Sequence, residues 1–212
     1  MTRTTVHLLR HGEVENPDKI LYGTLPGFFL SVAGQEMARA AAGWFAGRDV
    51  RGIYSSPLER ARQTAEPLEA LFGVAAVVEP RVIESANVFE GSYVGVGDGV
   101  LARPSTYRYL VNPFRPSWGE PYAQIADRVL AAVDDARAAH AGHEAVIVTH
   151  QLPVVCARRR VEGVHLWHHP GHRRCALASV TSLGFDGDRI VRVGYVEPAA
   201  RIPVTQEAAV GA

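Results

Sequence analysis

The segment Arg10-His11-Gly12 contains the residue types that nucleophilic attack on phosphorus requires. It directly follows the short apolar segment 6–9, which predicts that His11 lies at the end of a first strand. An imidazole can attack phosphorus, an arginine can bind phosphoryl oxygens, and a glycine lets the backbone approach closely. A single histidine in such a turn is more often structural than catalytic, so the interpretation depends on three further segments.

The second segment, residues 55–65, predicts the N-terminus of a helix. Ser56 and Glu59 have the spacing of a capping box, and Pro57 falls at the first helical position. Arg60 then lies in the first turn, where the backbone N–H groups and the helix dipole already favour an anion. This placement predicts that Arg60 binds phosphate.

The third and fourth segments supply Glu84 and His150. Glu84 follows the strand-like residues 74–78, and His150 directly follows 146–149, a pattern typical of a buried strand. Most of these candidate residues therefore lie at the carboxyl ends of predicted strands. Open α/β sheets bind their ligands at that edge.

The elements that must position these residues alternate between strands and helices. We predict an α/β domain with a mostly parallel sheet and helices on both faces. The predicted strands are 6–9, 53–54, 74–78 and 145–148, followed by a hairpin of 175–185 and 189–195 around Asp186-Gly187. The predicted helices are 31–46 with Ser31 as its cap, 57–72 ending at Gly73, 121–140 and 152–161.

In order and separation, these segments resemble the histidine phosphatase superfamily, also called the phosphoglycerate mutase-like family. Residues 9–13 resemble its opening signature, residues 55–65 its second block and residues 148–150 its third. Residues 119–121 and the helix predicted after them resemble the family's helix that precedes the strand ending at the third block. The similarity covers residues 5–160, and we expect it to continue to 197. It implies a three-layer α/β/α sandwich with a mostly parallel central sheet.

The resemblance and the residue types imply a metal-independent phosphatase that hydrolyses small phosphomonoesters. Arg10, Arg60 and His150 would hold the phosphoryl oxygens while His11 attacks in line and becomes a phosphohistidine. Glu84 would protonate the leaving oxygen and later take a proton from water. No metal and no cofactor are implied, since the arginines offset the negative charge.

The sequence departs from the family pattern next to the acid and at the rim of the site. The family's Phe-Gly pair after the acid is absent, so Glu90 remains an alternative to Glu84. Asn16, one position earlier than the family's asparagine, is predicted to contact substrate, together with Gly12 and Gln151. The acidic residue expected before the first helix is also missing from residues 23–30.

Two other functions stay open at this stage. A cofactor-dependent phosphoglycerate mutase would share the His11 segment, but residues 85–118 do not resemble the basic insertion of the mutases. A non-catalytic binding module is disfavoured because the nucleophile and both arginines are present. The histidine-rich run with His168, His169 and His172 is interpreted as a surface loop or pocket wall rather than a metal site.

Length and composition set the remaining expectations. The 212 residues predict one domain over 1–198, with 85–118 as a lid or substrate loop and 199–212 as a disordered tail. A net charge of zero argues against nucleic acid or an anionic membrane as a partner. The start shows no secretory signal, and Cys156 and Cys175 are too few for a disulfide framework, so we expect a cytoplasmic protein. The expected partner is a small phosphate ester, and a homodimer is left open.

Overall fold

A single six-stranded sheet forms the centre of the computed structural model, which describes residues 3–93 and 119–205. The strands are β1 (Arg3–Arg10), β2 (Val50–Ser55), β3 (Val77–Val78), β4 (Glu144–Thr149), β5 (Val180–Asp186) and β6 (Arg189–Val196). Their order across the sheet is β3-β2-β4-β1-β5-β6. The first four in that order run parallel, β5 is antiparallel to β1, and β6 is antiparallel to β5. The predicted α/β fold with a mostly parallel sheet is therefore confirmed.

Four helices cover the two faces of this sheet. They are α1 (Val32–Phe45), α2 (Glu59–Phe72), α3 (Tyr122–Ala139) and α4 (Gln151–Val161). Along β4, Ala145 and Ile147 join a core with α3 and α4, whereas Val146 and Val148 join a second core with α1 and α2. Because both faces are buried, the strand has a continuous apolar run rather than an alternating pattern. The predicted three layers are confirmed.

The two predicted helix starts differ in outcome. Ser31 caps α1 as expected, since its Oγ accepts the Gly34 N–H at 3.0 Å. The predicted capping box at Ser56 and Glu59 is wrong, because α2 begins at Glu59 after a Leu58 cap that makes no side-chain hydrogen bond. Ser56 Oγ instead lies 2.7 Å from His150 Nε2. Ser56 Oγ thus has a close contact with a residue distant in the sequence, and its local contact is the Leu58 N–H at 3.4 Å rather than the N–H of Glu59.

Two predicted strands are shorter than expected. The strand predicted over 74–78 is reduced to Val77–Val78, an exposed strand that, among the described residues, pairs only with the end of β2. The strand predicted from residue 175 begins at Val180. Residue 175 serves the site instead, because the Cys175 carbonyl accepts a hydrogen bond from Arg10 at 2.6 Å. The hairpin around Asp186-Gly187 is confirmed.

The C-terminal segment packs against the loop that follows β1. We expected a disordered tail over 199–212, but Ala199 is buried, and both the backbone N–H and the hydroxyl of Thr205 donate to the carboxylate of Glu13. Residues 206–212 lie outside the described residues, as does 94–118, most of the predicted lid over 85–118. In the part of the chain that the structure describes, no helix is both long and apolar enough to cross a bilayer.

Candidate active site

His11 and His150 are brought together by the parallel pairing of β1 with β4. The register places Arg10 opposite Thr149, so each histidine is the first residue after a central strand. The His11 N–H donates to the Thr149 carbonyl at 3.0 Å, and the two imidazole centroids are 5.2 Å apart. The carboxyl edge of the sheet thus holds both predicted histidines side by side.

The His11 ring is oriented by its own loop. Nδ1 lies 2.7 Å from the Gly12 carbonyl oxygen, which can only accept, so Nδ1 carries the proton. Nε2 therefore has a lone pair, and no described residue hydrogen-bonds to it. Burial, followed by the charges of Arg60 and Arg10, holds the pKa of His11 well below its ordinary value. The imidazole is consequently neutral and nucleophilic at neutral pH.

Gly12 fits between two helices without room for a side chain. A Cβ at this position would overlap the carbonyl oxygen of Gly34 in the first turn of α1. Its N–H donates to Thr64 Oγ1 at 3.2 Å, and that hydroxyl donates to the Arg60 carbonyl at 2.7 Å. The loop after β1 is thereby locked to α1 and α2. The predicted contact of Gly12 with substrate stays a prediction.

Arg60 is fully buried in the first turn of α2. Its Nη2 donates to the Gly23 carbonyl at 2.6 Å, and its guanidinium carbon lies 4.7 Å from the centroid of the Tyr22 ring. Its Nε and Nη1 are buried without a hydrogen-bond partner among the described residues. Arg10 is buried as well and donates to the Cys175 carbonyl. The protein holds both guanidinium groups in place before any substrate arrives, as electrostatic catalysis requires.

His150 lies at the N-cap of α4 and is completely buried. Ser56 Oγ accepts the Leu58 N–H at 3.4 Å and lies 2.7 Å from His150 Nε2. Because the hydroxyl already accepts one hydrogen bond, this arrangement favours donation of the Ser56 hydroxyl proton to Nε2. The proton of the neutral imidazole then resides on Nδ1, which has no hydrogen-bond partner in the described chain. Burial, followed by the charge of Arg60, holds the pKa of His150 well below its ordinary value.

These unpartnered nitrogens fit an anionic ligand. An unpaired buried donor costs about 1–3 kcal/mol, and three of them belong to two residues at the same edge of the sheet. A phosphoryl group has several acceptor oxygens and can satisfy all three. The geometry therefore supports binding of a phosphoryl group beside His11 Nε2.

The segment that leads to Glu84 is held by α3 and by the end of β4. Arg128 Nη1 donates to the carbonyls of Arg81 and Ile83 at 2.6 and 2.7 Å. Arg128 also makes a two-pronged ion pair with Glu120, with both distances 2.8 Å. Thr149 Oγ1 donates to the Val82 carbonyl, which lies between the two carbonyls that Arg128 binds. Arg128 was not among the predicted residues, because nothing in the helical pattern of α3 distinguishes it.

Glu84 is a buried carboxyl group with one short hydrogen bond, from the Ser85 N–H at 2.9 Å. Burial raises its pKa above the ordinary glutamate value, and the opposing charges of Arg60, Arg173 and Arg10 do not reverse that direction. A carboxyl group that retains its proton in this way can act as a general acid.

The sequence model of the family described as "Histidine phosphatase superfamily (branch 1)" matches residues 6–197. The chain belongs to the histidine phosphatase superfamily. A similar relative is "Uncharacterized protein Rv0525" of Mycobacterium tuberculosis, 55% identical over 197 residues, which are 93% of this chain and 98% of the relative. A "Probable phosphoglycerate mutase GpmB" of Photorhabdus laumondii is 27% identical over 183 residues, 82% of this chain and 83% of that protein.

Two solved structures share the fold of this chain. YhfR of Bacillus stearothermophilus superposes with a TM-score of 0.75 at 24% identity, covering 92% of this chain and 99% of that one. A phosphoserine phosphatase of Entamoeba histolytica, in complex with 3-phosphoglyceric acid, gives a TM-score of 0.74 at 18% identity, with coverages of 92% and 99%.

Glu90, the alternative acid of this superfamily member, is engaged in holding two loops together. Its Oε1 accepts the N–H groups of Thr24 and Asn87, both at 3.0 Å, and its Oε2 accepts the Thr24 hydroxyl at 2.7 Å. Both oxygens therefore act as acceptors within the protein. This arrangement favours Glu84 over Glu90 as the proton donor.

The remaining predicted residues have partners of their own. Asn16 Nδ2 donates to the Ile20 carbonyl at 2.9 Å, and Asn16 Oδ1 accepts the Ile20 N–H at 3.0 Å. This side chain therefore shapes its own loop. Gln151 Oε1 accepts from Arg173 Nη1 at 3.2 Å. Their contacts with substrate stay predictions. Arg173 is a site residue that sequence reasoning missed, because its only signal is its position after the histidine-rich run.

The histidine-rich run gives no metal centre in the described residues. No group of three or more His, Cys, Asp or Glu side chains in 3–93 and 119–205 is placed to hold a metal ion. His168 Nδ1 lies 2.6 Å from the Leu166 carbonyl, and His168 Nε2 accepts from Arg173 Nε at 3.0 Å. This histidine therefore supports an arginine near the site.

Proposed function

We propose that this protein is a metal-independent phosphatase that hydrolyses small phosphomonoesters through a phosphohistidine on His11. One observation carries the proposal. The neutral His11 presents an unshared Nε2 lone pair at a sheet edge where Arg60 and His150 have buried nitrogens that no described residue hydrogen-bonds. The Entamoeba histolytica neighbour is a phosphoserine phosphatase, which supports the same class of reaction.

In the first step, the phosphoryl oxygens accept hydrogen bonds from Arg10, Arg60 and His150. His11 Nε2 attacks phosphorus, the P–N bond forms, and the bond to the ester oxygen breaks. Glu84 gives its proton to that oxygen, so the alcohol leaves neutral. The phosphorylated imidazole still carries a proton on Nδ1, and the Gly12 carbonyl stabilises its positive charge.

In the second step, water attacks phosphorus from the side that the alcohol has left. The Glu84 carboxylate takes a proton from this water, the P–N bond breaks, and inorganic phosphate forms. His11 returns to its neutral form with the proton still on Nδ1. Glu84 is again protonated, which closes the cycle without any further group.

The test is to trap the covalent intermediate. We expect brief incubation with a labelled phosphate ester, followed by alkaline quench, to leave acid-labile label on a peptide containing His11. His11→Ala should lose both label and turnover. His143→Ala is the matched control. His143 is exposed, lies just before the amino end of β4 and bonds Asp49, so its replacement should leave label and turnover unchanged.

The same preparation distinguishes the alternatives. The GpmB relative favours a mutase as the second candidate, which would interconvert phosphoglycerates and depend on 2,3-bisphosphoglycerate. Release of inorganic phosphate from 3-phosphoglycerate without that compound supports the phosphatase. A binding module would form no labelled intermediate. Full turnover by His11→Ala would refute the mechanism.

A further inference from the structure

The carboxylate of Glu13 ties the C-terminal segment, residues 199–205, to the loop that carries the nucleophile. Glu13 is buried and lies two residues after His11. Ser31 Oγ donates to its Oε1 at 2.7 Å. The Thr205 N–H donates to its Oε2 at 2.7 Å, and the Thr205 hydroxyl donates to Oε1. The carboxylate is therefore held both by the residue that caps α1 and by the C-terminal segment.

Apolar packing fixes the segment that carries Thr205. Ala199 is buried in the core beneath α1 and α2, and Ile202 packs against the same core. The Ile202 N–H donates to the Ala199 carbonyl at 2.9 Å, which closes a turn between the two side chains. Leu9, near the end of β1, belongs to that core as well. The core thus brings Thr205, three residues beyond Ile202, to Glu13.

One peptide group connects Glu13 with the imidazole of His11. The Gly12 carbonyl accepts the Nδ1–H of His11 at 2.7 Å, and it shares its peptide plane with the Glu13 N–H. The Glu13 carbonyl is fixed in turn, because it accepts the Ser31 N–H at 3.0 Å. Since a peptide group is rigid, a displacement of Glu13 also moves the Gly12 carbonyl. The direction of Nε2 on the opposite side of the ring changes with it.

We propose that Thr205 and Glu13 are positioning residues for the nucleophile. By holding the Glu13 carboxylate, the C-terminal segment sets the plane of the peptide group between Gly12 and Glu13. That plane keeps the Nδ1 proton of His11 in its hydrogen bond and directs Nε2 toward phosphorus. The inference rests on the proposed function, because it takes Nε2 as the attacking atom. Other residues bind the phosphoryl group, so the effect falls on the rate of attack rather than on substrate binding.

The test measures how fast His11 is labelled after rapid mixing with radiolabelled p-nitrophenyl phosphate. Thr205→Val keeps the shape of the side chain and removes the hydroxyl that donates to Glu13. We expect the labelling rate constant at saturating ester to fall by about 3- to 10-fold, the equivalent of one net hydrogen bond. The ester concentration that gives half the maximal rate should stay unchanged. Thr205→Ser keeps the hydroxyl and should restore the wild-type rate constant.

Thr4→Val is the matched control. The Thr4 hydroxyl is buried near the amino end of β1 and accepts the Gly142 N–H at 2.9 Å. The same replacement at this end of the sheet should lower stability and leave the labelling rate constant unchanged. The amplitude of labelling counts the active molecules, so any loss of folded protein does not enter the rate constant.

A second measurement reports the His11 ring without any turnover. In protein whose histidine rings carry an NMR-active nitrogen isotope, the nitrogen shifts distinguish a protonated Nδ1 from a protonated Nε2. His11→Ala identifies the His11 signals by their absence. We expect wild type and Thr4→Val to show the Nδ1–H form, and Thr205→Val to show a share of the Nε2–H form.

A Thr205→Val protein that keeps either the wild-type rate constant or the wild-type His11 tautomer would overturn the inference. An equal change in Thr4→Val would overturn it too. In both cases a wild type that is labelled on His11 retains the proposed function and loses only the positioning role. A wild type that hydrolyses the ester without any label on His11 loses the proposed mechanism, and this inference with it.

Discussion

Replacing Glu84 by Gln should make catalysis depend strongly on the quality of the leaving group. The amide keeps nearly the same shape and can still accept the Ser85 N–H at its oxygen. It has no acidic proton to give to the departing oxygen. A poor leaving group, such as an alkyl oxygen, then has to depart as an alkoxide, whereas a nitrophenolate departs without help.

The structure allows the size of the effect to be bounded. Burial raises the pKa of Glu84, so the wild-type carboxyl group is protonated over a wider pH range than an exposed glutamate. A positioned general acid contributes about 100- to 10,000-fold, or about 3–5 kcal/mol of transition-state stabilisation. We therefore expect kcat/KM for an alkyl phosphate to fall by that factor in Glu84→Gln. The value for p-nitrophenyl phosphate should fall far less.

The assay is the ratio of alkyl to aryl kcat/KM in three proteins: wild type, Glu84→Gln and Glu90→Gln. Glu90 is the matched control because its carboxylate accepts hydrogen bonds from Thr24 and Asn87 and ties two loops together. Glu90→Gln should lower stability and leave the ratio unchanged. If Glu90→Gln instead carries the leaving-group dependence, the acid is Glu90 and the assignment made from burial is wrong.

Three further predictions concern metal, packing and pH. A chelator such as EDTA should leave turnover unchanged, because the arginines offset the phosphoryl charge; silencing by EDTA with rescue by Mg²⁺ or Zn²⁺ would contradict this. Gly12→Ala should lower the free energy of unfolding by about 1–3 kcal/mol in denaturant titrations, since its methyl group overlaps the Gly34 carbonyl. Gly43→Ala, whose added methyl group meets no atom within 4 Å, should stabilise α1 by about 0.5–1 kcal/mol. For alkyl esters, kcat/KM should fall at low pH because His11 becomes protonated, and the midpoint of this fall should lie below the ordinary histidine pKa. It should also fall at high pH because Glu84 loses its proton, with a midpoint above the ordinary glutamate pKa. Glu84→Gln should abolish the fall at high pH, and the same fall in that variant would count against Glu84.

The sequence predicts the catalytic edge of the sheet because its signals are local. His11 and His150 each follow an apolar run, and such runs become central strands whose carboxyl ends meet. The position of Arg60 depends on where α2 begins, and the sequence pattern locates that start to within two residues. These features need no knowledge of distant partners.

Features that depend on distant partners were not predictable in this way. Ser56 has the spacing of a capping box, yet its hydroxyl bonds His150, 94 residues away. Arg128 resembles any helical arginine until its contacts with the segment before Glu84 are known. The sequence predicts a disordered tail that includes Thr205, and its partner Glu13, 192 residues distant, is visible only in the fold. In each case the partner that positions the polar group is distant in the sequence, so no local pattern identifies it.

The charges of the site explain why one environment can hold a neutral base and a neutral acid together. Burial penalises every charged form, so it lowers the pKa of His11 and raises that of Glu84. The nearby arginines reinforce the first shift and oppose the second, yet for Glu84 burial prevails. A bound phosphate dianion offsets the arginine charges and so removes the influence that opposes protonation of Glu84. In the proposed mechanism, substrate binding would therefore raise the pKa of Glu84 further, so that its proton is available to the leaving oxygen.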